Sequence, residues 1–265
     1  MTESTAEELL VIERQGRVCT FTINRPDRLN SVNPEIMLRL GDGLNAVKDD
    51  DEVRAVVLRG SGSKAFSSGY DIDRIGGVPQ EAGPRGNPLE YGLDAIVNYP
   101  YPVIAMVFGY ALGAGCHIAA ACDLCLAADT ALFSMPPAKL GLVYPLEGYQ
   151  LFVSRVGVAR AKELFLTGRQ FPAAAAKEMG LVHQVVPEAE LEATVYELAR
   201  EMAEENAPLS MKGSKAILNK LMAGPLTAED EQEFRRWMAR AFMSEDAKEA
   251  RAAFKEKRKP RFTGK

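Results

Sequence analysis

Two glycine-bearing segments have the residue types for main-chain chemistry: Ser63-Lys64-Ala65-Phe66-Ser67-Ser68-Gly69-Tyr70-Asp71-Ile72 and Gly109-Tyr110-Ala111-Leu112-Gly113-Ala114-Gly115-Cys116-His117. Each follows an apolar run that reads as a strand. Small residues at such an exit let a ligand approach the backbone, and the second segment leads into a helical stretch. The first N–H groups of a helix lack partners within it, and its dipole favours negative charge there. Two such donors can hold an oxygen on which charge develops. The same glycines also serve tight turns, and taken singly they leave that reading open. Neither segment has the G-x-G-x-x-G spacing with an acidic residue about 20 positions on that a dinucleotide site requires, so a nicotinamide cofactor is not expected.

His117 falls in the first turn of the helix that follows the second segment. The dipole there disfavours imidazolium, which leaves a neutral ring able to act as base or donor; a packed histidine bonded to a backbone carbonyl is the alternative. His183, at a helix-to-strand junction, is expected to be structural. Glu147 lies near a helix start, where it either pairs with His117 or faces solvent or a partner subunit. Cys122 and Cys125 form a C-x-x-C, but no second pair or nearby histidine completes a set of four ligands. Neither a metal nor a redox role is expected of them.

The chain has 265 residues, 47% hydrophobic and 26% charged, enough to bury a large core without disulfides. No run approaches the roughly 18 apolar residues of a membrane helix, and the first ten residues lack the basic and apolar regions of a secretory signal. A soluble, cytoplasmic protein without membrane contact is expected. The formal charge of −4 argues against nucleic-acid binding. It is uneven: residues 251–265 carry a local +6, which leaves −10 for the remainder.

The patterning predicts strands over residues 9–12 and 18–23 around Gln15-Gly16. A break follows at Arg25-Pro26-Asp27-Arg28, then a helix over 35–47 capped by Asn33-Pro34, and a buried strand over 54–59. Residues 73–87, rich in Gly and Pro, read as a long loop. A helix over 89–98, a strand over 103–107, a helix over 116–122 and a strand over 124–127 continue an alternating α/β pattern. Beyond residue 188 strands vanish, and helices are expected over 191–206, 209–221, 228–242 and 246–257. The division expected is a core of residues 1–190 and a helical region of residues 191–265.

Several motifs in order resemble the crotonase superfamily, the enoyl-CoA hydratase/isomerase family: Arg25-Pro26, Leu29-Asn30, the two glycine segments, Cys122-Asp123, Phe133-Ser134-Met135-Pro136, Leu140-Gly141, Leu166-Thr167-Gly168, residues 176–186 and Phe254-Lys255-Glu256-Lys257-Arg258. The resemblance implies a spiral of ββα units, a C-terminal helical trimerisation region, and trimers or hexamers built as dimers of trimers. It implies an acyl-CoA substrate, with coenzyme A as part of the substrate and no separate cofactor. The thioester oxygen would be held by the Tyr70 and Ala114 N–H groups. Arg28, Leu29, Lys64, Ala65, Ser68, Gly69, Asp71, Ile72, Gly113, Pro137 and Leu140 would line the substrate site, with Arg28, Lys64 and Lys257 as phosphate contacts, Lys257 reaching a neighbouring subunit.

Two departures matter. Hydratases of this family use two glutamates, and the matching positions here hold His117 and Pro137. Proline has no proton to exchange, so the two-glutamate mechanism cannot run. The chain resembles most the methylmalonyl-CoA decarboxylase-like members, through Asn87-Pro88-Leu89 and Leu140-Gly141-Leu142-Val143-Tyr144-Pro145-Leu146. The resemblance places Tyr144 opposite the departing carboxylate. Decarboxylation of a malonyl-type acyl-CoA is therefore the leading expectation, since it needs little acid–base machinery. A His117-dependent hydratase or carbon–carbon hydrolase of an unusual, cyclic acyl-CoA, with Glu147 as partner, is the alternative. A non-catalytic CoA-binding relative is the third reading.

Overall fold

The computed structural model describes residues 8–71 and 86–265. Ile72 and residues 73–85 of the expected loop lie outside the described residues. Strands β1 (Leu10–Gln15) and β2 (Val18–Ile23) form the expected hairpin. Helix α1 (Pro34–Val47) starts as predicted: Asn33 Oδ1 accepts the Ile36 N–H at 2.9 Å, and proline takes the first helical position. Strand β3 (Ala55–Gly60) is buried on both faces, with Val56 and Leu58 in one apolar cluster and Ala55 and Val57 in another.

The chain continues through β4 (Ala65–Ser67), α2 (Pro88–Val97), β5 (Val103–Val107), β6 (Tyr110–Leu112), α3 (Ala114–Ala121), β7 (Leu124–Ala128) and β8 (Leu132–Ser134). Then come α4 (Leu146–Thr167), β9 (Phe171–Pro172), α5 (Ala173–Glu178), β10 (Gln184–Val186) and α6 (Glu188–Glu205). Helices α7 (Pro208–Ala223), α8 (Ala228–Met243) and α9 (Glu245–Glu256) end the fold. Six strands form one sheet in the order β1-β2-β3-β5-β7-β10, parallel except for β1. Four short strands form a second sheet in the order β4-β6-β8-β9, with only β9 antiparallel.

Three differences from the sequence expectation have physical causes. The strands of the second sheet have two or three residues each, too short for a period-2 pattern to register. Helix α3 begins at Ala114 rather than at residue 116, because Gly113 at φ 52° takes the turn into it. Helix α6 starts at Glu188 and buries Leu191, Val195, Ala199 and Ala203 against the large sheet, so residue 191 falls inside a helix that forms a layer of the core.

The later helices are fastened to that core by buried polar groups. Lys215 of α7 donates to Asp123 at 2.6 Å and to the Tyr101 carbonyl at 3.1 Å, while Asp123 accepts the Val103 N–H. Arg54, buried, donates to the Phe262 carbonyl at 3.0 Å. Asn30, in the left-handed region at φ 54°, binds three segments together. Its Nδ2 donates to the Ser61 and Ala65 carbonyls at 3.0 and 2.7 Å, and its Oδ1 accepts the Arg25 N–H. Replacing it by alanine removes three hydrogen bonds of about 1 kcal/mol each and puts a less suitable residue at positive φ. Asn30→Ala is expected to lower the unfolding free energy by about 3 kcal/mol, read as a lower midpoint in urea denaturation.

Candidate active site

The two glycine segments, about 45 residues apart in sequence, are neighbours because β4 and β6 pair in parallel, Ser67 opposite Ala111. The main chain leaves both strands at the same end. Gly69, at φ 103°, runs so close to the second segment that a Cβ there would lie 2.7 Å from the Leu112 carbonyl oxygen and 3.5 Å from the Ala114 nitrogen. Gly115 packs equally tightly on Ser67, where a Cβ would collide with the Ser67 carbonyl. Tyr70 forms a parallel bridge with Val32: the Val32 N–H donates to the Gly69 carbonyl and the Asp71 N–H to the Val32 carbonyl, each at 2.8 Å. In that pattern the N–H of Tyr70 turns away from Val32. Ala114, as first residue of α3, has an N–H that α3 itself cannot satisfy.

Three residues into α3, His117 is only 6% exposed. Its Nδ1 lies 3.0 Å from the Tyr144 hydroxyl, and its ring tilts against those of Tyr144 and Phe152. Tyr149 and Phe165 extend this aromatic cluster, and the Tyr149 hydroxyl accepts the Tyr144 N–H at 3.3 Å. Burial lowers the His117 pKa from 6.5 to about 4 and pushes the Tyr144 hydroxyl up. The ring is therefore neutral at pH 7 and the phenol protonated. The neutral state matches the sequence expectation, but desolvation is what produces it. Among the described residues His117 Nε2 has no hydrogen-bond partner. Among the described residues the only sealed side-chain nitrogen or oxygen without a partner is Arg155 Nε, so Nε2 opens to the adjoining cavity.

That cavity, about 490 Å³, lies between α2, α3 and the start of α4 and reaches Asn219 and Met222 of α7. Leu89, Leu93 and Leu151 give it an apolar lining, and Glu90, Asp94 and Glu147 also face it. Burial, followed by the charge of Glu147, raises the pKa of both Glu90 and Asp94. Glu147 is exposed and does not bond to His117; Tyr144 occupies the partner position that the sequence left open for it. Glu90 and Asp94 were missed by sequence reasoning. Their signal was two acids four residues apart, interleaved with Leu89, Leu93 and Val97 on one helix.

The other expected residues fall into groups. Arg28 and Leu29 are exposed on a short 3-10 helix, and the Ser68 N–H donates to the Leu29 carbonyl at 2.9 Å, which joins them to the first glycine segment. Lys64 is exposed beside buried Ala65. Asp71 is engaged by Arg25 at 3.1 Å. Gly113 caps α3, and Pro137, buried, opens a 3-10 helix that ends at Leu140, which is 48% exposed. Lys257 is exposed at the C-terminal cap of α9. His183 has the structural place expected of it, with Nδ1 accepting the Cys125 N–H at 3.0 Å. The four cysteines are buried free thiols, and among the described residues no cluster suited to a metal occurs.

A spiral α/β core with a C-terminal helical region and two glycine segments apposed at neighbouring strand exits defines a class of folds, and comparison identifies it. The Enoyl-CoA hydratase/isomerase family model matches residues 13–265, and the chain belongs to that family, the crotonase superfamily. It is 39% identical to a probable enoyl-CoA hydratase of Rhizobium meliloti, over 96% of this chain and 98% of that protein. It is 35% identical to the short-chain-enoyl-CoA hydratase of Clostridium acetobutylicum, over 94% and 95%. Among solved structures it is similar to an enoyl-CoA hydratase from Mycobacterium tuberculosis H37Rv, with a TM-score of 0.85 and 32% identity over 98% of this chain and 100% of that one. An enoyl-CoA hydratase from Bacillus anthracis gives a TM-score of 0.88 and 30% identity over 97% and 100%.

The buried neutral His117 makes stability depend on pH with a definite sign. Its folded pKa lies below its unfolded one, so the unfolded state takes up the proton first. Its contribution is full above pH 6.5 and is lost progressively down to about pH 4. The loss is roughly 3 kcal/mol. Urea unfolding at pH 7 and pH 4 is expected to show a fall that is smaller by this amount in His117→Gln. Gly148 offers a geometric test, because a Cβ there would lie 2.5 Å from the Tyr144 ring and 3.3 Å from His117 Cε1. Gly148→Ala is expected to displace Tyr144 from His117 and to raise the histidine pKa, measured by NMR titration.

Proposed function

We propose that the protein acts on an acyl-CoA thioester through an enolate. Its oxygen is held by the Tyr70 and Ala114 N–H groups, and His117 Nε2 moves the proton. The observation that carries this reading is the state of His117: neutral, fixed at Nδ1 by Tyr144, and open at Nε2 to a cavity about one helical turn along α3 from Ala114. With Nδ1–H donating to the Tyr144 oxygen, Nε2 presents a lone pair. In hydration of an unsaturated acyl-CoA, water adds at Cβ while Nε2 takes its proton. The electron pair of the double bond passes to the thioester oxygen, and the Cα of the enolate is then protonated from the imidazolium. The relatives named as hydratases support this order of preference.

Decarboxylation of a malonyl-type acyl-CoA is the second reading. The Tyr144 hydroxyl, protonated and set among aromatic rings, is a donor that could orient a substrate carboxylate. It ranks second because Glu90, Asp94 and Glu147 face the cavity that the carboxylate would enter. In either case Arg28 and Lys64, exposed beside the first glycine segment, serve the coenzyme A phosphates, and Lys257 serves those of a neighbouring subunit. Assembly as trimers or hexamers is supported by exposed Val143, Leu166 and Phe254.

Two experiments test the reading. Hydration of crotonyl-CoA and carbon dioxide release from methylmalonyl-CoA are measured for the parent protein and for His117→Ala. Hydration is expected, and the variant is expected to abolish it; carbon dioxide release little affected by the variant would select the second reading instead. Proline is tolerated at the first position of a helix, so Ala114→Pro deletes one donor while keeping α3. It is expected to lower kcat by about 100- to 1,000-fold with circular dichroism unchanged.

A further inference from the structure

The cavity beside His117 has a direction, because two of its walls, α3 and α4, run the same way. At one end, Gly148 near the start of α4 lies beside His117, where a Cβ would come within 3.3 Å of His117 Cε1. At the other, Arg155 of α4 donates to the Cys122 carbonyl at 2.5 Å, just past the end of α3. The third wall, α2, ends at the same place. Lys215 of α7 joins the two helix ends, since its Nζ donates to Asp123 at 2.6 Å and to the Ile96 carbonyl at 3.4 Å. One turn further along α7, Asn219 donates to the Val97 carbonyl at 2.8 Å. Helix α7 therefore lies across the C-terminal ends of α2 and α3. Met222, less than one turn beyond Asn219, lines the cavity from there.

We infer that Met222 is the stop for the acyl chain and so sets the longest chain that the site accepts. The inference rests on the acyl-CoA reading above and names the chain-length class of its substrate. An acyl chain whose reacting carbons lie at His117 Nε2 runs along the cavity towards α7. Leu89, Leu93 and Val97 recur every fourth residue and give α2 an apolar stripe along that path, with Ala121 and Leu151 on the other walls. Asp94 and Glu147 are exposed and keep their charges hydrated at the edge. The stretch of α4 from Gly148 to Arg155 rises about 10 Å at ~1.5 Å per residue. An extended chain advances about 1.2 Å per bond, the backbone rate of ~3.6 Å for three bonds, so roughly eight bonds beyond the reacting carbons bring its end to Met222.

The test uses saturated thioesters in even-numbered steps from butyryl-CoA to tetradecanoyl-CoA. Their dissociation constants are measured by calorimetry on the full chain. Binding is expected to tighten by up to about fourfold for each added methylene and to stop tightening between decanoyl-CoA and dodecanoyl-CoA. Met222 is 44% exposed, so its size can be changed without opening the core. Met222→Ala is expected to move the break to a longer chain and Met222→Trp to a shorter one, with butyryl-CoA bound equally by all three proteins. If no thioester binds, the acyl-CoA reading falls and the inference falls with it. If thioesters bind but affinity shows no break with chain length, or the break stands at the same length in both variants, the inference is overturned while the acyl-CoA reading stands.

Discussion

The site depends on the parallel pairing of two three-residue strands, β4 and β6. Parallel neighbours send their chains out at the same end of a sheet, so the segments that follow them must meet. Nothing in either segment alone would bring Gly69-Tyr70 against Gly113-Ala114. The contact is close enough to exclude side chains: Gly115 lies on Ser67, and Gly109 lies on Lys64, where a Cβ would overlap the backbone. Asn30 braces the arrangement from below by joining the Ser61 and Ala65 carbonyls to the turn after β2.

About one helical turn along α3 from this apposition stands a desolvated histidine. Burial makes protonation of His117 costly, and Tyr144 fixes one side of its ring. Three carboxylates line the cavity that it faces. They stand on α2 and α4, across the cavity from α3, where they influence one another more than they influence His117.

The C-terminal helices bear on the site although they are remote in sequence. Lys215 ties α7 to Asp123 at the junction of α3 and β7, and Asn219 donates to the Val97 carbonyl at the end of α2 at 2.8 Å. Asn219 and Met222 thereby close the far end of the cavity. A shift of α7 would change the depth of the cavity without touching α3.

Much was legible in the sequence because local physics carried it. The Asn33-Pro34 cap, the buried run of β3, the helical periodicity of α7 to α9 and the small residues at both strand exits are all short-range signals. The motif order that marks the family was legible as well. Other features were decided by tertiary structure alone. Short strands of the second sheet owe their conformation to neighbours far along the chain, so no period announces them. The partner of His117 is Tyr144, 27 residues away, because packing of α3 against the aromatic cluster near the start of α4 leaves Glu147 on an outer wall. Glu90 and Asp94 read as an ordinary polar helix face until folding turned that face onto a cavity. A residue's type and helical position follow from its neighbours in sequence, whereas its desolvation and its charge partners depend on what the whole chain places around it.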